Sequence, residues 1–224
     1  MIRVRLPAWP RRRFVIVTLA TSLVLCLAAW LGFLALDAAF PFPEARLRPP
    51  AAVTVVDRNG VPLRSFLPQD DYWRFPARLK EVSPLVRRVV LASEDRFFRW
   101  HPGVNPLSIL RAAVVNVLHG RVVSGGSTVT MQLARLAEPR PRRFLAKLVE
   151  AFRALQLKRR LAKDDILERY LNLAPYGRNI VGVKAAAWFY FGKGPDRLSL
   201  AEAALLAVLP RSPAAEAGLR QGDI

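Results

Sequence analysis

Residues 83–103 read SPLVRRVVLASEDRFFRWHPG. Ser83 ahead of Pro84 is a helix start, because the hydroxyl can cap free amides and proline fits the first helical position. Leu85, Val86, Val89 and Val90 recur at helical spacing, so one face of this helix belongs to a core. The run ends on two adjacent carboxylates, Glu94 and Asp95, with Phe97, Phe98, Trp100 and His101 beyond them. A carboxylate at the end of a buried helix is desolvated, which raises its pKa and suits a proton acceptor working near neutral pH. The pair also reads as a helix-end ion pair, and this segment alone leaves both readings open.

The same start signal recurs outward from this stretch. Asn105-Pro106 opens a second helix that Gly120 can close, and Ser199 to Glu202 forms a capping box before an Ala/Leu-rich run that Pro210 stops. Helices are expected over 83–93, 106–118, 127–136, 142–161, 164–172, 180–190 and 199–208. Upstream, Val53–Val56 and Val61–Phe66 read as strands joined by a turn at 57–60 that contains Asn59-Gly60. The expectation is a mainly α domain with a small N-terminal β-hairpin.

The formal net charge is +18, with a single cysteine, Cys26, and two histidines, His101 and His119. One cysteine excludes a disulfide framework, and the set falls short of zinc-ligand spacing. Residues 14–36 carry no charge, enough at about 1.5 Å per residue to cross roughly 30 Å of hydrocarbon. Arg3, Arg5, Arg11, Arg12 and Arg13 precede the run while Asp37 and Glu44 follow it. The positive-inside bias therefore puts the N-terminus in the cytoplasm and the rest outside. The expected organisation is a basic tail over 1–13, a transmembrane helix over 14–36, a Pro-rich stalk over 37–50 and one domain over 51–224. An apolar run longer than the core of a signal peptide favours an uncleaved anchor. Nucleic acid is a poor partner for a domain outside the membrane, and anionic headgroups or a diphosphate fit the basic charge better.

Two further constellations carry chemistry. In VVSGGSTVTMQLAR (122–135), the Gly125-Gly126 turn and Ser127 as cap would open a helix whose free amides attract an anion. Thr128, Gln132 and Arg135 would then share one stripe, a ladder suited to sugar hydroxyls and phosphate oxygens. In the helix from Arg142 to Leu161, Leu145, Leu148, Phe152 and Leu155 are expected to face the core. Arg143, Lys147, Glu150 and Ala154 lie opposite, which by itself is an ordinary solvated face with a Lys147–Glu150 pair.

Taken together, EDRFFRWHPG at 94–103, GGSTVTMQLAR at 125–135, KLVE at 147–150, ILERYLN at 166–172, AAWFYFGK at 186–193 and LSLAEAALLAVLPRSP at 198–213 resemble the peptidoglycan glycosyltransferase domain. That domain occurs in class A penicillin-binding proteins and in monofunctional transglycosylases. VDRNGVPLRSF, LNLAPYG and RALQL look most like the C-type branch of the bifunctional proteins.

The resemblance implies a lysozyme-like helical fold in the bacterial inner membrane, with the domain extracytoplasmic, that polymerises lipid II into β-1,4 glycan with inversion and release of undecaprenyl diphosphate. By motif position Glu94 would be the general base on the acceptor 4-hydroxyl, and Glu150 would assist diphosphate departure. Lys147 and Arg135 would stabilise the diphosphate, with Ser127, Thr128 and Gln132 lining the cleft. Asp95, Phe98, His101 and Gly103 would be structural neighbours, with Phe97, Phe98 and Trp100 a dry wall beside Glu94. It implies a divalent cation, Mg or Mn, carried with the diphosphate, and no organic cofactor. The partners implied are lipid II, the growing strand, membrane lipid and other cell-wall synthesis proteins.

Met131 and Ala146 depart from the family pattern, where a second glutamine and an arginine are common. Arg142 or Arg143 could compensate for the latter. The chain ends at Ile224, where a bifunctional protein would continue into a transpeptidase domain. A monofunctional enzyme and a shortened bifunctional protein are both compatible with that ending. The alternatives to an enzyme of this kind are a degenerate scaffold that binds lipid II or partner proteins, and a lysozyme-like hydrolase.

Overall fold

The computed structural model describes residues 11–141 and 144–208, divided between two compact units, one up to Phe42 and one from Pro43 onward. In the first unit α1 (Arg11–Ala39) is a single helix of 29 residues. Residues 13–39 are long and apolar enough to cross a membrane. Most of the side chains along it are exposed, Leu23 at 70% among them. The Thr18 and Thr21 hydroxyls donate to the carbonyls of Phe14 and Val17 at 2.9 and 2.8 Å. The helix thus satisfies its own polar groups, as a lipid environment requires. The helix outruns the expected 14–36 span at both ends because no proline interrupts it before Pro41. The Pro-rich segment still contains a 3-10 turn, Glu44–Leu47.

The second unit opens with the expected hairpin, β1 (Val53–Val56) antiparallel to β2 (Pro62–Phe66). Asp57 Oδ1 accepts from the amides of Asn59 and Val61, both at 2.8 Å, and Gly60 takes φ +80°, so the turn is fixed by an Asx side chain and a glycine. The strands are tied on one face by the Thr54 and Ser65 hydroxyls at 2.9 Å.

Helices follow in the expected order: α2 (Pro84–Glu94), α3 (Pro106–His119), α4 (Val129–Ala137), α5 (Phe144–Arg160), α6 (Lys163–Leu173), α7 (Val183–Phe191) and α8 (Leu200–Val208). The caps read from the sequence at Ser83 and Asn105 are made: they accept from the amides of Leu85 and Ser108. Gly120 closes α3 in the left-handed conformation. The Ser199–Glu202 box is formed, while Pro210 lies outside the described residues.

The core is built around α4. Val129, Thr130 and Leu133 are fully buried, and α4 packs against both α5 and α6 while α2 packs against α8. Burying nearly every residue of a helix is possible only if neighbours surround it. Hence α4 sits inside the unit, with the loop before it held from several sides.

Three expectations are corrected. The helix expected from residue 180 starts at Val183, because Ile180–Val181 form β4, parallel to β3 (Trp73–Arg74). A short apolar run does not distinguish strand from helix by periodicity. Gly182 at φ +91° makes the switch between them, and a Cβ there would lie 2.9 Å from the Asn172 carbonyl oxygen. The cap of α4 is Thr128, not Ser127: its hydroxyl accepts from the Met131 amide.

The third correction concerns the first half of α5, which is turned from the expected orientation. Leu145 and Leu148 are 71% and 54% exposed, whereas Ala154 and Gln156 are fully buried and Glu150 is 6% exposed. Of the stripe expected in solvent, Glu150 and Ala154 are buried while Lys147 stays about half exposed; of the face expected in the core, Leu145 and Leu148 point outward while Phe152 and Leu155 are half-buried. Ala154 sits so close to the 103 region that its carbonyl oxygen would be 2.6 Å from a Cβ at Gly103.

This orientation predicts an inverted mutational pattern. Leu145→Gln with Leu148→Gln should change stability by no more than about 0.5 kcal/mol, while Ala154→Leu should cost about 1–3 kcal/mol by overpacking. Thermal unfolding of the solubilised chain measures both, and the reverse ranking would contradict the orientation of α5.

Candidate active site

Glu94 is the last residue of α2 and is half-buried, with Oε2 accepting from Gln132 Nε2 at 2.8 Å. Gln132 is one turn into α4, and its Oε1 accepts from the Tyr170 hydroxyl of α6 at 3.2 Å. Tyr176 is buried beside this group, and burial together with the Glu94 carboxylate pushes its phenol well above the ordinary range. The Tyr176 hydroxyl therefore stays neutral wherever Glu94 titrates.

Asp95 points away from this chemistry into a buried bonding centre. Its own amide closes α2 on the Leu91 carbonyl at 3.0 Å. Its Oδ2 accepts from the Val129 amide at 3.1 Å, and from His101 Nε2 at 2.9 Å. His101 Nδ1 accepts from the Gly103 amide at 3.1 Å, so the ring proton is on Nε2. Burial lowers the His101 pKa more than Asp95 raises it, and Lys163 lowers it further. The imidazole is thus neutral near pH 7. The Thr128 hydroxyl donates to the Gly103 carbonyl at 2.5 Å, and Gly103 is held at φ +105°.

The opposite end of the same segment carries the basic pair. Lys147 Nζ donates to Ser127 Oγ at 2.8 Å and to Glu150 Oε2 at 2.9 Å. Lys147 is about half exposed while Glu150 is buried. Ser127 and Gln132 are five positions apart in sequence, so both carboxylates are tied by side-chain bonds to a stretch that covers on the order of 10 Å. Arg135 is half-buried in the last turn of α4.

The expected site residues thus divide. Glu94, Gln132, Ser127, Lys147 and Glu150 are linked through the start of α4. Asp95, His101, Gly103 and Phe98 form the support behind it. Thr128 belongs with that support, contrary to the expected ladder, because its hydroxyl is committed to Gly103 and to the Met131 amide and it is 2% exposed. The expected dry wall is also corrected: Phe98 is buried, but Phe97 and Trp100 are 56% and 87% exposed. Met131 is buried, so a thioether fills a place where an amide would need a partner. Ala146 is half-buried, while Arg142 and Arg143 lie outside the described residues.

Sequence reasoning missed Tyr170, Tyr176 and Lys163. Lys163 Nζ lies 4.2 Å from the centroid of Phe98, and burial lowers its pKa to about 8. No sequence spacing marks these residues, since they reach the site from α6 and from the loop after it. A cavity of about 340 Å³ lined by Leu63, Arg64, Trp73, Trp188 and Phe189, among others, includes none of the candidate site residues.

The donor set does not fit a resident metal ion. Among the described residues no group of three His, Cys, Asp or Glu side chains converges, and the Glu150 carboxylate already faces an ammonium.

A half-buried carboxylate and a buried carboxylate paired with a half-exposed lysine are thus joined through one helix start in a mainly helical unit. The chain belongs to the transglycosylase family: the family model described as Transglycosylase matches residues 59–221. It is 46% identical over 198 residues to penicillin-binding protein 1C of Escherichia coli K12, covering 88% of this chain and 25% of that protein. It is 43% identical to penicillin-binding protein 1A of Aquifex aeolicus, over 74% of this chain and 23% of that one. With penicillin-binding protein 1F of Bacillus subtilis the identity is 36%, over 76% and 24%. The chain thus spans about a quarter of the length of these curated relatives.

Two titrations follow from the support. His101 binds its proton less readily folded than unfolded, so stability is lost as pH falls below about 6.5, the ordinary value. For Lys163 the folded value of about 8 lies below the ordinary 10.5, so stability rises between those pH values as the folded state sheds its proton first. Unfolding midpoints against pH should show both slopes, and Lys163→Met should abolish the alkaline one.

Proposed function

We propose that the chain is a membrane-anchored peptidoglycan glycosyltransferase that polymerises lipid II, with residues 51–224 as its catalytic domain. The observation that carries this reading is the attachment of Glu94 and of the Lys147–Glu150 pair to one segment, Ser127–Gln132. Glu94 takes the proton of the acceptor 4-hydroxyl as that oxygen forms a bond to the donor anomeric carbon. The bond from that carbon to the diphosphate oxygen breaks on the opposite side, which inverts the centre. The leaving diphosphate takes the electron pair and its negative charge is met by Lys147 and Arg135. Diphosphate is a good leaving group that needs charge neutralisation more than protonation. Glu150 holds Lys147 toward Ser127, where the diphosphate is received. No step depends on a protein-held metal; any divalent cation travels with the substrate diphosphate.

The surface supports the same reading. On α3, Leu107, Leu110, Val117 and Leu118 are 63–79% exposed, and the outward leucines of α5 add to the apolar surface of the unit. Apolar exposure on this scale suits a lipid interface better than water. With α1 as anchor and the basic residues before it cytoplasmic, the domain would lie on the outer side of the inner membrane, beside its lipid-linked substrate and the other proteins of wall synthesis.

The full chain in detergent or liposomes should convert lipid II to glycan strands, and Glu94→Gln should lower turnover about 10²- to 10⁴-fold without changing the unfolding midpoint. Lys147→Met should also lower turnover. No product from the unmodified chain would leave a lipid II-binding scaffold as the reading, comparable product from Glu94→Gln would remove the base assignment, and release of fragments from preformed peptidoglycan without lipid II would point to a hydrolase.

A further inference from the structure

The side-chain amide of Gln132 stands between two groups of opposite demand. Toward α2 it meets the Glu94 carboxylate, which can only accept a hydrogen bond when ionised, at 2.8 Å from Nε2. Toward α6 it meets the Tyr170 hydroxyl, which donates to Oε1 at 3.2 Å. Gln132 is 5% exposed and Tyr170 is 2% exposed, so water does not compete freely for either end. An amide turned over by half a rotation would aim its carbonyl at the Glu94 carboxylate, two acceptors facing one another.

We propose that Tyr170 is a positioning residue for the base: by donating to Gln132 it holds the amide with its N–H toward Glu94 and so fixes the carboxylate orientation used for proton removal. This rests on the reading of Glu94 as base given above. Tyr170 does not touch substrate; it acts through Gln132. The arrangement has a direct consequence for Glu94. An N–H donated to an ionised carboxylate favours the ionised form and lowers its pKa, so loosening the amide raises the pH below which Glu94 is protonated and idle. Among titratable groups, Tyr176 also faces Glu94, and its raised phenol pKa keeps it uncharged through that range.

Tyr170 enters α6 in the stretch ILERYLN, where Ile166, Leu167 and Leu171 are buried. A buried aromatic at this place would satisfy packing equally well as phenylalanine. The hydroxyl is therefore the part whose role is separable from the fold, and Tyr170→Phe removes it while keeping the ring.

The test is lipid II polymerisation by the full chain, unmodified and as Tyr170→Phe, Gln132→Met and the double variant, each across pH, with unfolding midpoints measured alongside. Tyr170→Phe should lower kcat by up to about tenfold, the upper end for a hydrogen bond between neutral groups. KM should be nearly unchanged, and the acid limb of the rate profile should move to higher pH. In the Gln132→Met background the same change should add little, because the path to Glu94 is already cut. A Tyr170→Phe variant with unaltered kcat and acid limb would overturn the inference, as would an equal loss with and without Gln132. A loss explained by a lowered midpoint alone, with the acid limb unmoved, would also overturn it. Failure of the parent reading has a different signature: Glu94→Gln would remain active, or the unmodified chain would make no glycan.

Discussion

The Asp95 carboxylate is the constraint on which the site depends. It joins three pieces of chain that are remote in sequence: the end of α2, the His101–Gly103 turn and the first amide of α4. A buried carboxylate of this kind is stable only with its acceptor capacity filled, and a hydrogen bond to a charged group contributes about 1.5–3 kcal/mol. Filling it has a geometric result. With α4 docked by its first amide, Thr128 reaches the Gly103 carbonyl, Gln132 reaches Glu94, and Ser127 is left where Lys147 finds it. The neutral imidazole of His101 fits this role, since Nδ1 accepts from Gly103 while Nε2 donates to Asp95; protonation would strand a donor against the Gly103 amide.

Much of this was legible in the chain before any coordinates. The Ser-Pro and Asn-Pro starts, the Gly120 stop and the capping box at Ser199 located helix ends because each is a local satisfaction of backbone groups. The carboxylate pair and the KLVE stretch were legible because the family motifs run in a fixed order. Asp95 as the structural member of the pair was also within reach. What was not legible depended on tertiary partners. Thr128 displaced Ser127 as cap because the Gly103 carbonyl pins its hydroxyl, a contact across 25 positions. Ile180–Val181 became a strand because Trp73 offered a partner 107 positions earlier. Tyr170 and Lys163 announce nothing by spacing, for each matters only through what the fold lays against it.

The inverted orientation of α5 has a different cause. The assignment of its leucines to the interior assumed that everything outside the domain is water. Under that assumption a Leu145/Leu148 face must be core and a Lys147/Glu150 face must be solvated. The structure instead buries Glu150 and leaves Leu145 and Leu148 outward, with Lys147 half exposed and bonded to Ser127 just ahead of α4. On the proposed membrane location an apolar exterior is expected, and α3 also exposes Leu107, Leu110, Val117 and Leu118. Amphipathic periodicity fixes that two faces differ; it does not fix which faces inward.

Environment also separates the two carboxylates, which composition could not. Glu94 is half-buried, accepts a hydrogen bond from the Gln132 amide and lies beside a phenol that burial keeps uncharged. Glu150 is buried and faces an ammonium at 2.9 Å, so its effect is on the lysine. Lys147 is the more exposed partner, its charge carried on a long stem while its counter-ion stays behind. On the proposed function that asymmetry suits an anionic leaving group, with a cation at the surface, oriented from below, and Glu94 at the other end of one short helix start. The same residues with the exposures exchanged would present a carboxylate to the proposed diphosphate and repel it.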